Sequence, residues 1–188
     1  MVLPKSCGAG HFRHDRKNED VDTKERHEEA MEKLLISACL LGQPVRYDGR
    51  AKTQQSDILA RWRKEGRLVT VCPEVQAGLA TPRAPAEIEG GGGAEVLARE
   101  ARVMTRDGED VSVAFRYGAD LALALCRRHR IRFAILTEGS PSCGSQRIYD
   151  GCFDGHTVAG MGVTTALLTQ HGIRVFNQEE IARVAALL

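Results

Sequence analysis

The sequence predicts an α/β fold of three layers, in which a mainly parallel sheet is flanked by helices in a Rossmann-like arrangement. Short apolar runs, typical of strands buried on both faces, alternate along the chain with amphipathic segments typical of helices. Regular alternation of this kind favours a parallel sheet covered by helices. The length of 188 residues is that of a single domain.

Four short apolar runs predict the strands of this sheet. Each run is rich in Leu, Ile, Val or Phe and leads into a glycine, a proline or a polar loop. The second run, for example, is cut off by Pro73. The predicted strands are residues 34–40, 68–72, 131–136 and 173–176.

Segments with apolar residues at helical spacing predict the helices. Between the second strand and the longest of these helices, residues 81–93 predict a long loop and residues 95–106 a small extended excursion. The predicted helices are residues 57–64, 111–130, 164–171 and 178–188.

The first thirty residues differ in composition from the rest. They are highly charged and have almost no apolar periodicity, which is typical of a disordered tail. Because Met31 directly precedes the first strand, a start codon assigned too far upstream is the other explanation. We therefore expect residues 1–30 to be a tail of one of these two kinds and residues 31–188 to form the α/β domain.

Charge and hydropathy exclude several classes of protein. Lys and Arg number 26 against 25 Asp and Glu, so a net charge of +1 argues against a nucleic-acid binder. No apolar run approaches the ~18 residues of a transmembrane helix, and the charged beginning lacks the apolar core of an export signal. We expect a cytoplasmic protein that is not bound to membranes. The sequence does not indicate an oligomeric state.

Three of the six cysteines stand where predicted strands end. Cys39 and Cys72 close the first two strands, and Cys143 follows the third. The carboxyl ends of parallel strands meet at one edge of a sheet, where ligands bind, so the three thiols are expected to converge. Three thiolates suit a four-iron cluster with one iron free of cysteine, or a zinc ion with an open position.

Two other cysteines of the predicted domain have simpler explanations. Cys126 falls on the apolar stripe of the longest predicted helix and is expected to pack in the core. Cys152 follows the turn sequence Tyr149-Asp-Gly, and a fourth thiolate would fill the open position of the metal. We therefore predict that neither is a ligand.

Polar residues cluster around the predicted thiol site. Glu74, two residues beyond Cys72, is a candidate general base for a water molecule. Ser140 and Ser142 directly precede Cys143 and can donate hydrogen bonds to a substrate. Arg46 follows the first cysteine loop and is a candidate to bind an anionic or carbonyl group of the substrate.

Seven short motifs occur in order between Leu34 and Phe176 and together carry a specific resemblance. The sequence resembles the small bacterial domain-of-unknown-function family that contains the thiouracil desulfidases (TudS-like). The motifs are Ile36-Ser-Ala-Cys-Leu-Leu-Gly42, Arg46-Tyr-Asp-Gly49, Val71-Cys-Pro-Glu74, Gly78-Leu with Thr81-Pro-Arg83, Pro85-Ala-Glu87, Ser140-Pro-Ser-Cys-Gly144 and Ile148-Tyr-Asp-Gly151.

The resemblance implies an oxygen-sensitive [4Fe-4S] cluster held by Cys39, Cys72 and Cys143. It also implies removal of sulfur from a thiolated pyrimidine base or nucleoside without net redox chemistry, giving a carbonyl and hydrogen sulfide. By the same resemblance, Glu74 deprotonates the attacking water, and Ser140 relays a proton or holds the ring.

Two departures from the family and two other functions remain open at this point. Val45 stands where many relatives have a cysteine, and Thr137-Glu138 replaces a segment that often carries a lysine. The same three thiols could also serve a non-enzymatic metal-binding or redox-sensing module, or a zinc hydrolase. A positioned base such as Glu74 favours an enzyme over a sensor.

Overall fold

The computed structural model of the protein describes residues 31–188, with a compact unit over Glu32–Leu188. The tail predicted over residues 1–30 lies outside the described residues. None of the helices within 31–188 is long and apolar enough to cross a membrane.

The central element is a four-stranded sheet in the order β2-β1-β5-β8, and every neighbouring pair in it is parallel. This sheet contains all four strands that the sequence predicts. Its strands are β1 (Leu34–Ser37), β2 (Leu68–Val71), β5 (Phe133–Leu136) and β8 (Arg174–Asn177).

Helices cover both faces of this sheet and complete the three predicted layers. Leu34 and Ile36 of β1 pack on one face with Trp62 of one helix, whereas Leu35 packs on the other face with Ala122 and Leu168. This alternation follows from the two-residue period of a strand. The first face is covered by α1 (Asp57–Lys64) and α6 (Ile181–Ala185), and the second by α4 (Ser112–Arg128) and α5 (Val163–Gln170).

The first strand is shorter than predicted, and the difference shapes the site. β1 ends at Ser37, and Ala38–Leu41 forms a 3-10 turn that ends at Gly42 in the left-handed region (φ 94°). Cys39 therefore lies in a turn beyond the strand. In the same way β2 ends at Val71, and Cys72 becomes the N-cap of the short helix α2 (Pro73–Gln76).

An antiparallel strand pair and a helix replace the predicted loop and excursion, and a second antiparallel pair forms later in the chain. Because the buried positions of these strands include the polar residues Glu87 and Thr105 beside Ile88 and Val103, no continuous apolar run marks them in the sequence. The prediction of a long loop over 81–93 was wrong in this respect. The added elements are β3 (Ala86–Glu89) paired with β4 (Arg102–Thr105), α3 (Gly93–Ala98), and β6 (Arg147–Tyr149) paired with β7 (Thr157–Ala159).

Candidate active site

A cavity of about 460 Å³ opens at the carboxyl ends of the parallel strands. Its volume is in the range of small-molecule sites. One group of lining residues, which we call the thiol wall, consists of Cys39, Cys72, Cys143, Glu74 and Ser140. A second group of lining residues, which we call the hairpin wall, comes from β3, from the end of β4 with the residue after it, and from the loop at 150–156; it includes Glu87, Arg106 and Phe153.

The three thiols reach the cavity because their strands are neighbours. Three neighbouring strands of the sheet, β2, β1 and β5, lead to the three thiols. Cys72 follows β2, Cys39 follows β1 and Cys143 lies in the turn after β5. The register pairs Ser37 with Val71, so the turns that carry Cys39 and Cys72 leave the sheet at the same level. The structure thus brings together the three cysteines that the sequence analysis grouped.

Each sulfur has a hydrogen-bonding partner in the wall. The sulfur of Cys39 and Oγ1 of Thr137 lie 2.9 Å apart and share a hydrogen bond. Ser37 donates its hydroxyl to the sulfur of Cys143 at 3.8 Å and accepts the backbone N–H of Thr137. Ser37 and Thr137 therefore connect two of the thiols, a role that the sequence analysis missed.

Burial governs the ionisation of these thiols. Burial raises the pKa of Cys39, while Thr137 and the nearby charges of Arg46 and Lys52 act in the opposite direction. The pKa of Cys72 is also raised by burial. The pKa of Cys143 is raised furthest, by burial first and then by the negative charge of Glu74 and the other two thiols. A bound metal centre must therefore displace protons from these thiols and compensate their charge.

The spacing of the donors favours a cluster over one ion. Within residues 31–188, the group of three potential ligand atoms lying within 4.8 Å of one another is Asp150, Asp154 and His156, not the three sulfurs. Tetrahedral zinc with 2.3 Å bonds to sulfur requires thiolates ~3.8 Å apart. The three sulfurs are therefore set more widely than one zinc ion requires, and cysteine thiolates are the ordinary ligands of a four-iron cluster.

Glu74 is held in the thiol wall by an arginine. Arg83 donates through Nε to Oε2 of Glu74 at 2.8 Å and also through Nη2 to the same oxygen. Both side chains are largely buried, with 12% of Arg83 and 14% of Glu74 exposed. Charge-assisted contacts of this kind fix the orientation of a carboxylate.

The remaining donors of Arg83 bind the chain around it. Nη1 lies 3.2 Å from the carbonyl oxygen of Val45, 3.1 Å from that of Ala80 and 3.3 Å from Oγ1 of Thr81. The Val45 carbonyl also accepts the thiol of Cys72 at 3.8 Å. Val45, one of the two departures noted in the sequence, thus contacts the site through its backbone.

Ser140 connects the carboxylate to the third cysteine. Its hydroxyl donates to Oε1 of Glu74 at 3.4 Å. Its oxygen accepts the backbone N–H groups of Ser142 at 3.1 Å and Cys143 at 3.2 Å, which holds the turn after β5. Glu74 and Ser140, two residues that lie far apart in the sequence, therefore form a pair.

The two predicted substrate contacts are placed differently. Arg46 lines the cavity, with about a third of its side chain exposed and Asp48 at 3.9 Å. Ser142 does not line it. Its side chain is fully buried, and its hydroxyl shares a hydrogen bond of 2.9 Å with Thr164 of α5. The prediction of a substrate contact at Ser142 is corrected, since the turn directs this side chain into the core.

The other two cysteines of the described chain lie outside the cavity lining. Cys126 is buried in α4 among apolar side chains, and burial raises its pKa to about 12. Cys152 is exposed in the loop between β6 and β7, where its backbone N–H donates to Asp150. Both positions agree with the packing and turn roles that the sequence predicts.

A further buried carboxylate shapes the turn of Cys143. Glu138 accepts the backbone N–H groups of Ser145, Gln146 and Arg147 and the hydroxyl of Ser145. Burial alone would raise the pKa of Glu138, but these hydrogen bonds together hold it below its usual value. Glu138 was noted only as a departure from the family, and its role here follows from contacts within the turn.

The fold and the site define an α/β protein with a three-thiol centre beside a carboxylate–hydroxyl pair. The model of one family, 2-thiouracil desulfurase, matches residues 34–180. The chain belongs to the 2-thiouracil desulfurase family, which confirms the resemblance noted in its sequence.

A solved structure and a bacterial protein are similar to most of this chain. The structure, of the [4Fe-4S]-dependent thiouracil desulfidase TudS, is 51% identical with a TM-score of 0.76, and the match covers 84% of this chain and 100% of that one. The uncharacterized protein YbbK of Bacillus subtilis (strain 168) is 43% identical over 148 residues, which are 79% of this chain and 97% of that protein.

Proposed function

We propose that this protein removes sulfur from a thiolated pyrimidine, such as thiouracil, with a [4Fe-4S] cluster held by Cys39, Cys72 and Cys143. The observation that carries the proposal is the presence of three thiols and the Glu74–Ser140 pair in a single cavity. The family and the similarity to TudS support the same reaction.

The reaction is an exchange of sulfur for oxygen at a ring carbon. The thiocarbonyl and one water give a carbonyl and hydrogen sulfide, so no electrons enter or leave. When bound, a cluster with one iron free of cysteine supplies a soft Lewis acid for the thiocarbonyl sulfur.

Glu74 is the proposed general base, and its two oxygens have separate tasks. Oε2 accepts two donors from Arg83 and is held in place by them. Oε1 faces Ser140 and is the oxygen proposed to take the proton from water. Arg83 is therefore a positioning residue for the base, and it keeps the carboxylate from rotating away from the water.

Ser140 is the proposed hydrogen-bond donor of the pair. Because its oxygen already accepts two backbone N–H groups, the hydroxyl is left to donate. This arrangement favours donation to Glu74, or to the substrate once Glu74 is protonated, over a role as a second base. Arg46 is the proposed contact for a carbonyl oxygen of the pyrimidine.

A reducing compartment suits this proposal. All five described cysteines are free thiols, and thiols stay reduced in the cytoplasm, which we propose as the location.

The test is a turnover assay on anaerobically purified protein loaded with its cluster. Incubation with 2-thiouracil should release uracil and sulfide in equal amounts without an added reductant. Glu74→Gln should keep the iron content and the absorption near 400 nm yet lose roughly 10²–10⁴-fold in kcat. The matched control is Glu100→Gln at an exposed position, which should turn over at the parent rate.

Two results would overturn the proposal. A loaded protein that binds iron but releases no sulfide would point to a metal-binding or redox-sensing module instead. A colourless protein that holds one zinc ion and hydrolyses other substrates would point to the zinc alternative. Parent turnover in Glu74→Gln would remove Glu74 from the mechanism.

A further inference from the structure

Phe153 holds a backbone conformation that its residue type rarely adopts. It lies in the loop between β6 and β7 with φ at 58°, in the left-handed region that favours glycine. A bulky side chain persists there only when its surroundings hold it, and such residues concentrate at functional sites.

A buried carboxylate of the hairpin wall holds the loop in this conformation. Oε2 of Glu87, a residue of β3 that is 7% exposed, accepts the backbone N–H groups of Gly151 and Phe153, each at 3.0 Å. The loop also approaches β3 closely, because a Cβ on Gly151 would lie 2.7 Å from the carbonyl oxygen of Ile88. These contacts hold the backbone of Phe153, a residue of the cavity lining.

The ring of Phe153 forms part of the cavity lining instead of entering the core. The residue is half-buried and lines the same cavity as Glu74 and the three thiols. The guanidinium of Arg106 lies over the ring, 5.6 Å from its centroid. A cation over one face of an aromatic ring leaves stacking of a planar ligand to the opposite face.

We propose that Phe153 is a specificity-determining residue whose ring stacks on the pyrimidine of the substrate. This inference rests on the proposed function and extends it, because it assigns recognition of the flat ring to the hairpin wall. The thiol wall then acts on the sulfur and the ring carbon. A planar aromatic heterocycle is the ligand that such a surface prefers.

Three substitutions at Phe153 distinguish the effect of its aromatic ring from the effect of its backbone conformation. Phe153→Gly removes the ring and suits the positive φ, Phe153→Leu keeps apolar volume without a flat face, and Phe153→Tyr keeps the flat face. Tyr117→Leu is the matched control, since Tyr117 is an exposed aromatic residue on α4 outside the cavity lining.

The measurements are anaerobic titration calorimetry with uracil and steady-state kinetics with 2-thiouracil, both on the cluster-loaded protein. Phe153→Gly and Phe153→Leu should weaken uracil binding and raise KM by roughly 10- to 100-fold, with a smaller change in kcat and no loss of iron. Phe153→Tyr and Tyr117→Leu should stay within a few-fold of the parent.

The outcomes distinguish the stacking role from the proposed reaction. Parent-like uracil binding in Phe153→Gly would overturn the inference, because the position would then matter only for its backbone. Binding of uracil that depends on Phe153, in a parent protein that releases no sulfide, would support stacking and overturn the proposed reaction. A parent that binds neither uracil nor thiouracil would overturn both.

Discussion

The thiol wall and the hairpin wall face the same cavity but are built by different means. The thiol wall grows out of parallel strands whose register sets where each turn begins, as the pairing of Ser37 with Val71 shows. The hairpin wall consists of short antiparallel pairs, and its loop at 150–156 is held by the side chain of Glu87. Parallel strand pairing sets where the turns of the first wall begin, and a single side chain, Glu87, holds the loop of the second.

This difference suits the tasks that we propose for the two walls. Metal ligands and a general base need fixed positions, because small displacements reduce catalysis strongly. Recognition of a flat ring tolerates more variation, since stacking depends on overlap of surfaces more than on one bond. Substitutions in the thiol wall should therefore change kcat and cluster content, and those in the hairpin wall should mainly change affinity.

The largest effect is expected from the proposed ligands. Cys39→Ser, Cys72→Ser and Cys143→Ser should each remove the absorption near 400 nm and abolish turnover, because thiolates are the ligands that hold such clusters. The measurements are the visible spectrum and the counts of iron and acid-labile sulfide after anaerobic reconstitution.

Cys126→Ala is the control for this set, as it also removes a buried thiol. It should cost on the order of 1 kcal/mol of stability and keep the cluster. Full cluster content in any of the three ligand variants would contradict the thiol wall as the metal centre.

The thiol wall could be predicted from sequence because its signals are local. A continuous apolar run marks each buried parallel strand. A cysteine beside the end of such a run lies at the ligand-binding edge of the sheet, regardless of how the helices pack. The same reasoning placed Glu74, since Pro73 begins a short helix directly after β2.

The hairpin wall could not be predicted in this way. The buried positions of these two strands combine Ile88 and Val103 with the polar residues Glu87 and Thr105, so no apolar run marks the strands in the sequence. Glu87 contacts Phe153, which lies 66 residues further along the chain, and Arg83 contacts Glu74 on the short helix α2. Thr81-Pro-Arg83 and Pro85-Ala-Glu87 were visible as motifs, but their roles required three-dimensional contacts.

Ser142 shows the reverse case, where closeness in sequence to Cys143 did not place a side chain in the cavity.

An intermediate effect is expected at Arg83, which supports the base without contacting substrate in our proposal. Arg83→Met should lower kcat by roughly 10- to 100-fold, since the Glu74 carboxylate loses the two guanidinium donors that orient it. KM and iron content should change less. Arg83→Lys should recover part of kcat, because a charge remains but the two-point contact is lost.

The measurement is steady-state kinetics with iron counted in each variant. Added guanidinium should raise the kcat of an Arg83→Ala protein if the missing contact is the cause. Loss of iron in proportion to activity would contradict the positioning role and show that Arg83 acts on the thiol wall as a whole through Val45.

The smallest effect is expected from Cys152→Ser, although Cys152 is the exposed thiol nearest in sequence to Phe153. Its side chain does not line the cavity, and the turn depends on its backbone N–H, which serine retains in its hydrogen bond to Asp150. Nearby carboxylates, Asp150 first, raise the pKa of this thiol and so disfavour the thiolate that a metal requires. Iron content, kcat and uracil affinity should all match the parent. A Cys152→Ser protein that loses its cluster while Cys143→Ser keeps it would move the third ligand from the thiol wall to the hairpin wall, and the division of tasks between the walls would no longer hold.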